Sequence, residues 1–227
     1  MNTTRIHEIW KVLKFVSDIN GVANEDIKGL LPTLENEIKA REHKRIKYLL
    51  NRSGIKLVKR LEDFNWKFNP KVPRTEIMAL AQTPWAKEVK NAVFIGSSGI
   101  GKSHLAEGIC VRAIEGGIPA TRITCFELVE RLKHSRNKST LMNYYANVKL
   151  LCLDELGYVF PSSDQANDIF QIISKRSEIA STIVTTNLLP ADWGKVFEAA
   201  TATAILDRLS LNGKFIAWEG PSYRSKK

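Results

Sequence analysis

Apolar positions along the chain follow two different periods, and the change between them divides it. Before about residue 55 they recur every three or four positions, the spacing of helices with one buried side. Ile6, Ile9, Trp10, Leu13 and Val16 align in this way over residues 1 to about 20, where Asn20-Gly21 ends the run. A second helix is predicted from Pro32-Thr33 to about Asn51, with Leu34, Ile38, Ile46, Leu49 and Leu50 as its stripe and NRSG as its stop. From Asn91 onward the pattern changes to short apolar runs separated by helical stretches. Strands are predicted at 92–95, 120–125, 149–154, 182–186 and 215–219, and helices at 102–115, 126–133, 164–179 and 199–209.

Repeated strand–helix units imply an α/β fold with a five-stranded parallel sheet covered by helices. Local signals agree. Gly116-Gly117 and Pro119 stop one helix, and Thr124 with Glu127 makes a capping box for the next. Between the two regimes, residues 55 to about 75 mix bases with Phe64, Trp66 and Phe68 and end in two prolines. They read as an extended connector, which gives a helical domain at 1–70 and an α/β domain at 71–227.

Composition narrows the function classes. The 227 residues are 44% hydrophobic and 26% charged, with no apolar run long enough to span a bilayer and no signal-peptide pattern at the start. A cytoplasmic protein without membrane partners is expected. Cys110, Cys125 and Cys152 lack metal-ligand spacing and read as buried thiols. The net charge of +10 is concentrated before residue 91, which raises nucleic acid as a partner for that part.

GSSGIGKS at 96–103 lies between a predicted strand and a predicted helix, the context in which GxxxxGK[ST] binds phosphate. The glycines let successive N–H groups converge with the helix N-terminus on phosphate oxygens. The expected nucleotide-binding set is Gly96, Ser97, Ser98, Gly99, Ile100, Gly101, Lys102, Ser103 and His104. Lys102 would reach the β- and γ-phosphates of ATP, and the Ser103 hydroxyl would bind Mg²⁺. KLLCLDELG brings Asp154 to a strand end as the second Mg²⁺ residue and Glu155 as the base that polarises water. Asn187 closes the next strand and would lie beside Glu155 if that strand inserts between the first and third; a turn or cap role is its alternative. Arg208 by itself reads as a surface arginine paired with Asp207.

The series LENEIKAREHKRIKYLL, LEDFNWKFNP, VFIGSSGIGKSHLA, LLCLDELGYV, STIVTTNLLPADWGKVF, TAILDRL and GPSYR resembles the IstB-like and DnaC-like ATPases of the AAA+ superfamily, closest to the IstB side. The likeness runs from about Leu30 to Arg224. It implies an ATPase that oligomerises head to tail on duplex DNA and directs a transposase. It also implies that Asn187 senses the γ-phosphate, that Arg208 is an arginine finger reaching the neighbouring subunit, and that Arg224 is a second sensor. With three residues after Arg224, no C-terminal helical lid is expected. Ser97-Ser98 and the stretch 175–178 depart from the family's usual residues. The alternative partner is a replicative helicase, served by a loader of the DnaC type.

Candidate DNA contacts are Lys39, Arg41, Lys44 and Arg45 on the second helix, where Lys47 also lies. Lys133, Arg136 and Lys138, with His134 among them, form a second basic stretch in LKHSRNK. A solvated face is the plainer reading of both.

Overall fold

A computed structural model describes residues 2–14, 24–158 and 160–226, and these fall into two units, Met1–Tyr48 and Leu49–Lys227. In the smaller unit, α1 (Asn2–Leu13) packs on the long helix α2 (Asn24–Arg52). Ile6 is buried against Trp10, Leu31 and Leu34, and Ile9 and Leu13 are buried with it. Polar contacts reinforce the pairing: Arg5 lies 3.8 Å from Glu35, and the Arg41 guanidinium donates to Leu13 O at 3.3 Å. The predicted helix 1–20 thus ends earlier, with Lys14 already left-handed at φ 57°. Val16 and the Asn20-Gly21 stop lie outside the described residues. α2 starts before the predicted Pro32 and runs through it, since one proline removes a single backbone hydrogen bond from an otherwise continuous helix.

The larger unit is built on a parallel sheet of β1 (Asn91–Ile95), β2 (Ala120–Thr124), β3 (Leu150–Leu156), β4 (Ser181–Thr186) and β5 (Gly213–Ala217), ordered β2-β3-β4-β1-β5. β1 and β4 are buried at every position, as strands covered on both faces must be. On one face, Val93, Ile123, Leu151, Leu153 and Val184 join α5 (Cys125–His134), α6 (Lys138–Asn147), α7 (Ser163–Arg176) and α8 (Ala199–Ser210) in the main core. On the other lies α4 (Lys102–Glu115), which follows β1 directly and packs on β1, β2, β3 and β4. The capping box opens α5: Thr124 Oγ1 accepts from Glu127 N at 3.1 Å, and Glu127 accepts from Thr124 N at 3.2 Å.

Two helices escaped the sequence pattern. α3 (Arg74–Ala81) begins on the proline that was read as the end of the connector, burying Ile77, Leu80 and Ala81. α6 carries two asparagines and two tyrosines among few aliphatics, and its start is set by Asn137, whose side chain accepts from Thr140 N at 3.0 Å. The connector itself is a correction. Residues 55–73 are folded onto the larger unit rather than strung between two domains: Leu61 is buried against Gly108 of α4, and Asn69 donates to Glu219 O at 3.0 Å. The contact boundary accordingly falls at Tyr48–Leu49, not at residue 70.

One core residue is a cation without a carboxylate. Arg176, at the end of α7, is fully buried and donates to Val148 O at 2.8 Å, to Thr182 Oγ1 at 3.0 Å, and to Tyr145 O and Ser181 O. It therefore ties α6, α7 and the starts of β3 and β4 together. Burial pulls its pKa down to about 9, which still leaves the guanidinium charged at neutral pH. Arg176→Met would keep the bulk and strand three buried carbonyl groups, so a loss of about 3 kcal/mol or more is expected. Urea denaturation checks this, and a midpoint equal to wild type would contradict it.

Candidate nucleotide site

The loop from Gly96 to Gly101 joins buried β1 to the first turn of α4. Gly101 caps the helix at φ 101°, and a Cβ there would meet the Phe64 ring at 2.5 Å, so conformation and space both require glycine. Lys102 is 7% exposed. Its ammonium donates to Gly96 O at 2.6 Å and Ser97 O at 2.8 Å, and burial lowers its pKa. Ser98, Gly99, Ile100, Gly101, Lys102, Ser103 and His104 all line one cleft of about 360 Å³, whereas Gly96 and Ser97 do not.

Glu155 reaches this cleft through a break in β3, and Asp154 beside it meets the cleft-lining Ser103. Leu153 pairs with Val184 and Leu156 with Thr186, so two residues of β3 stand opposite Thr185 alone, which is a β-bulge. Glu155 takes the strain at φ 59°, a left-handed conformation uncommon for a side-chain-bearing residue. Thr185 pins the bulge with one hydroxyl, which accepts from Glu155 N at 3.0 Å and donates to Asp154 Oδ1. Asp154 is 1% exposed. It also accepts from Ser103 Oγ at 2.8 Å and from Arg122 Nη2 at 2.5 Å. Ser103 and Asp154 are hard oxygen donors beside a phosphate-type loop, a donor set that fits Mg²⁺ shared with nucleotide oxygens. Glu155 is exposed and lines the cleft.

Apart from Arg224, expected at the nucleotide, the remaining wall comes from segments that the sequence assigned elsewhere. Lys59, Asp63, Phe64, Asn65 and Phe68 of the connector border the cleft, together with Tyr158, Thr185, Tyr223 and Arg224. Phe64 packs edge-on against Trp66 and His104 with ring centroids 4.8 and 5.3 Å away, and Phe68 meets Tyr223 at 4.8 Å. Three aromatics within five residues were the available signal; reading them with the basic helix before them, instead of the glycine loop after them, hid their place. Arg122 and Thr185 gave no signal, because each lies in a strand whose pattern says only that it is buried.

Other predicted residues are not among those that line the cleft. Asn187 follows β4, exposed, with its amide oxygen beside Gly157. Arg208, in the last turn of α8, pairs with Asp207 at 2.8 Å and lies over the Phe170 ring at 5.9 Å. On α2, Lys39, Arg41, Lys44 and Arg45 are exposed, with Arg41 held by Glu37 at 2.6 Å. Lys133 closes α5 and Arg136 lies in the turn to α6. Lys138 opens α6 and pairs with the largely buried Asp168 at 2.7 Å.

A parallel sheet of this order, with a glycine loop and an acidic strand end meeting in one cleft, defines a P-loop nucleotide-binding protein of the AAA+ class. The profile of the IstB-like ATP binding protein family matches residues 10–227, and the chain belongs to that family. It is 31% identical over 204 residues to the protein named for ATP binding in insertion sequence IS232 of Bacillus thuringiensis subsp. berliner, covering 88% of this chain and 82% of the relative. A counterpart from insertion sequence IS5376 of Geobacillus stearothermophilus is 29% identical over 97% of this chain and 88% of its own length. Among solved structures, the DnaC helicase loader aligns with a TM-score of 0.60 at 25% identity, over 70% of this chain and 96% of the loader's. DnaI aligns with the same score at 22% identity, over 72% and 89%, a likeness of fold.

Thr185→Val keeps the shape and removes the hydroxyl that holds the bulge. A buried donor and acceptor then lose a partner, so stability should fall by about 1–3 kcal/mol, with ATP binding weakened as well. Urea denaturation alongside nucleotide titration tests both parts; a variant matching wild type in each would show that the bulge does not depend on this hydroxyl.

Proposed function

We propose that this protein is an ATP-hydrolysing helper of transposition, which assembles head to tail on duplex DNA and regulates a partner transposase. The observation that carries the reading is the convergence of Lys102, Ser103 and Glu155 on one cleft, with Asp154 bonded to Ser103, in a chain whose relatives belong to insertion sequences. Lys102 and the loop N–H groups bind the β- and γ-phosphates of ATP, and the aromatic wall at Phe64 and Phe68 holds the rest of the nucleotide. Ser103 and Asp154 hold Mg²⁺, which when bound neutralises phosphate charge. Glu155 takes the proton of a water attacking the γ-phosphorus, and the bond to ADP breaks as phosphate forms. Asn187 orients that water, and Arg224, at the cleft edge, answers to the nucleotide's charge. A cytoplasmic location accompanies this reading.

Arg208 completes the site of a neighbouring subunit. In its own subunit it lies outside the cleft-lining residues and its ion-pair partner, Asp207, is exposed, and a cation supplied in trans makes hydrolysis conditional on assembly. Head-to-tail contacts of this kind build rings or filaments. Lys102→Ala should abolish ATP binding or turnover, while Glu155→Gln and Arg208→Ala should each bind ATP without turning it over. Mixing the last two should restore part of the activity, because about a quarter of randomly formed interfaces join an intact Glu155 to an intact Arg208. Absence of recovery at every ratio would remove the shared site.

The DNA reading rests on the exposed bases of α2 and on Lys133 and Arg136 at the α5–α6 corner. Lys138, engaged by Asp168, is the weaker candidate. Reversing Lys133 and Arg136 to Glu should weaken duplex binding for all sequences alike and flatten its salt dependence by about one unit per lost contact. Affinity unchanged at several salt concentrations would count against a phosphate role. The likeness to the DnaC helicase loader favours one alternative, an adaptor for a replicative helicase using the same ATP chemistry. Stimulation of turnover by helicase and not by duplex DNA would select it.

A further inference from the structure

Arg122 is a half-buried cation that the proposed chemistry does not use. It projects from β2 onto the α4 side of the sheet, where its neighbours are acidic: Asp154 Oδ2 at 2.5 Å, Glu127 Oε2 at 4.0 Å from Nη1, and Glu107 of α4 within electrostatic reach. Two atoms in this cluster are buried without a hydrogen-bond partner, the Arg122 Nε donor and the Glu107 Oε1 acceptor. Both groups have partners of the right sign nearby, so the cluster holds more acceptor capacity than the present arrangement uses. Unpaired buried polar atoms of this kind need an explanation.

We infer that Arg122 is a positioning residue for Asp154 that competes with Mg²⁺ for its carboxylate and is handed over to Glu107 and Glu127 when the metal is bound. This deepens the ATPase reading and rests on it. Without metal, the guanidinium neutralises a carboxylate that is almost wholly removed from water, a charge that would otherwise be costly to bury. A divalent cation sharing Asp154 with Ser103 repels a guanidinium 2.5 Å from the same group. The unused acceptor of Glu107 and the carboxylate of Glu127 give Arg122 a place to go. The affinity for Mg²⁺ is thereby set by a balance between two cations, and changing either side of that balance moves it in opposite directions.

The test titrates MgCl₂ at constant ionic strength and follows binding of a fluorescent, non-hydrolysable ATP analogue. Thermal unfolding is recorded on the same samples. Arg122→Gln removes the competitor, so the Mg²⁺ concentration at half effect should fall by about fivefold or more, and Mg²⁺ should raise the unfolding temperature more than in wild type. Glu107→Gln removes the negative charge that receives the guanidinium while sparing the Arg122–Asp154 pair, so the half-effect concentration should rise by a similar factor. A purely structural role for Arg122 would lower the unfolding temperature equally with and without Mg²⁺, and that outcome overturns the proposal. If Arg122→Gln does not fold, Glu107→Gln decides alone: an unshifted titration overturns the handover. Wild type failing to bind the analogue at any Mg²⁺ concentration would instead overturn the ATPase reading on which the proposal rests.

Discussion

Adjacent residues of a strand point to opposite faces unless the strand breaks its own alternation, and the nucleotide site depends on how β3 breaks it. Asp154 and Glu155 stand together opposite Thr185, whose hydroxyl ties the backbone of one to the carboxylate of the other. The strand order makes this possible, because β4 is inserted between β3 and β1 and so brings Thr185 beside both the acidic bulge and the glycine loop. α4 supplies Ser103 from the other side. Displacement of any of these elements would move both carboxylates relative to the phosphate loop.

Much of this was legible in the order of residues, and the failures have identifiable causes. The glycine loop, the parallel sheet and the α4 and α5 boundaries follow from local rules: a helix needs a cap and a stop, and Gly101, Thr124 and Gly116 provide them. Even the bulge had a trace, since two neighbouring carboxylates can serve one site only where alternation fails. The connector was misread because Leu61, Asn69 and Val72, all buried, are too widely spaced for either period. Their packing is set by α4 and the chain after β5, which local sequence does not reveal. Nor does a buried strand pattern distinguish Arg122 from the apolar residues around it.

The two arginines drawn into the larger unit solve burial in different ways. Arg122 is matched with carboxylates and sits where charge is exchanged. Arg176 is matched only with neutral oxygens, so its charge is spread across carbonyl dipoles from α6, its C-cap Val148 and β4 and fixes their relative heights. The first arrangement is adjustable because one ion can replace another. The second is rigid because each nitrogen of the planar fork has a geometrically fixed acceptor.

The edges of the sheet are also finished differently. β2 has Ser53 lying along its free side, with Arg122 N donating to Ser53 O at 2.7 Å, and Gly54 approaches so closely that a Cβ there would come within 2.4 Å of Arg122 O. β5, at the opposite edge, is five residues long and carries Lys214 and the half-exposed Phe215. A capped edge and a short, charged one both resist the addition of a strand from another molecule. Chains brought close together at high concentration therefore gain little by extending one sheet into the next, which protects the folded protein against edge-to-edge aggregation.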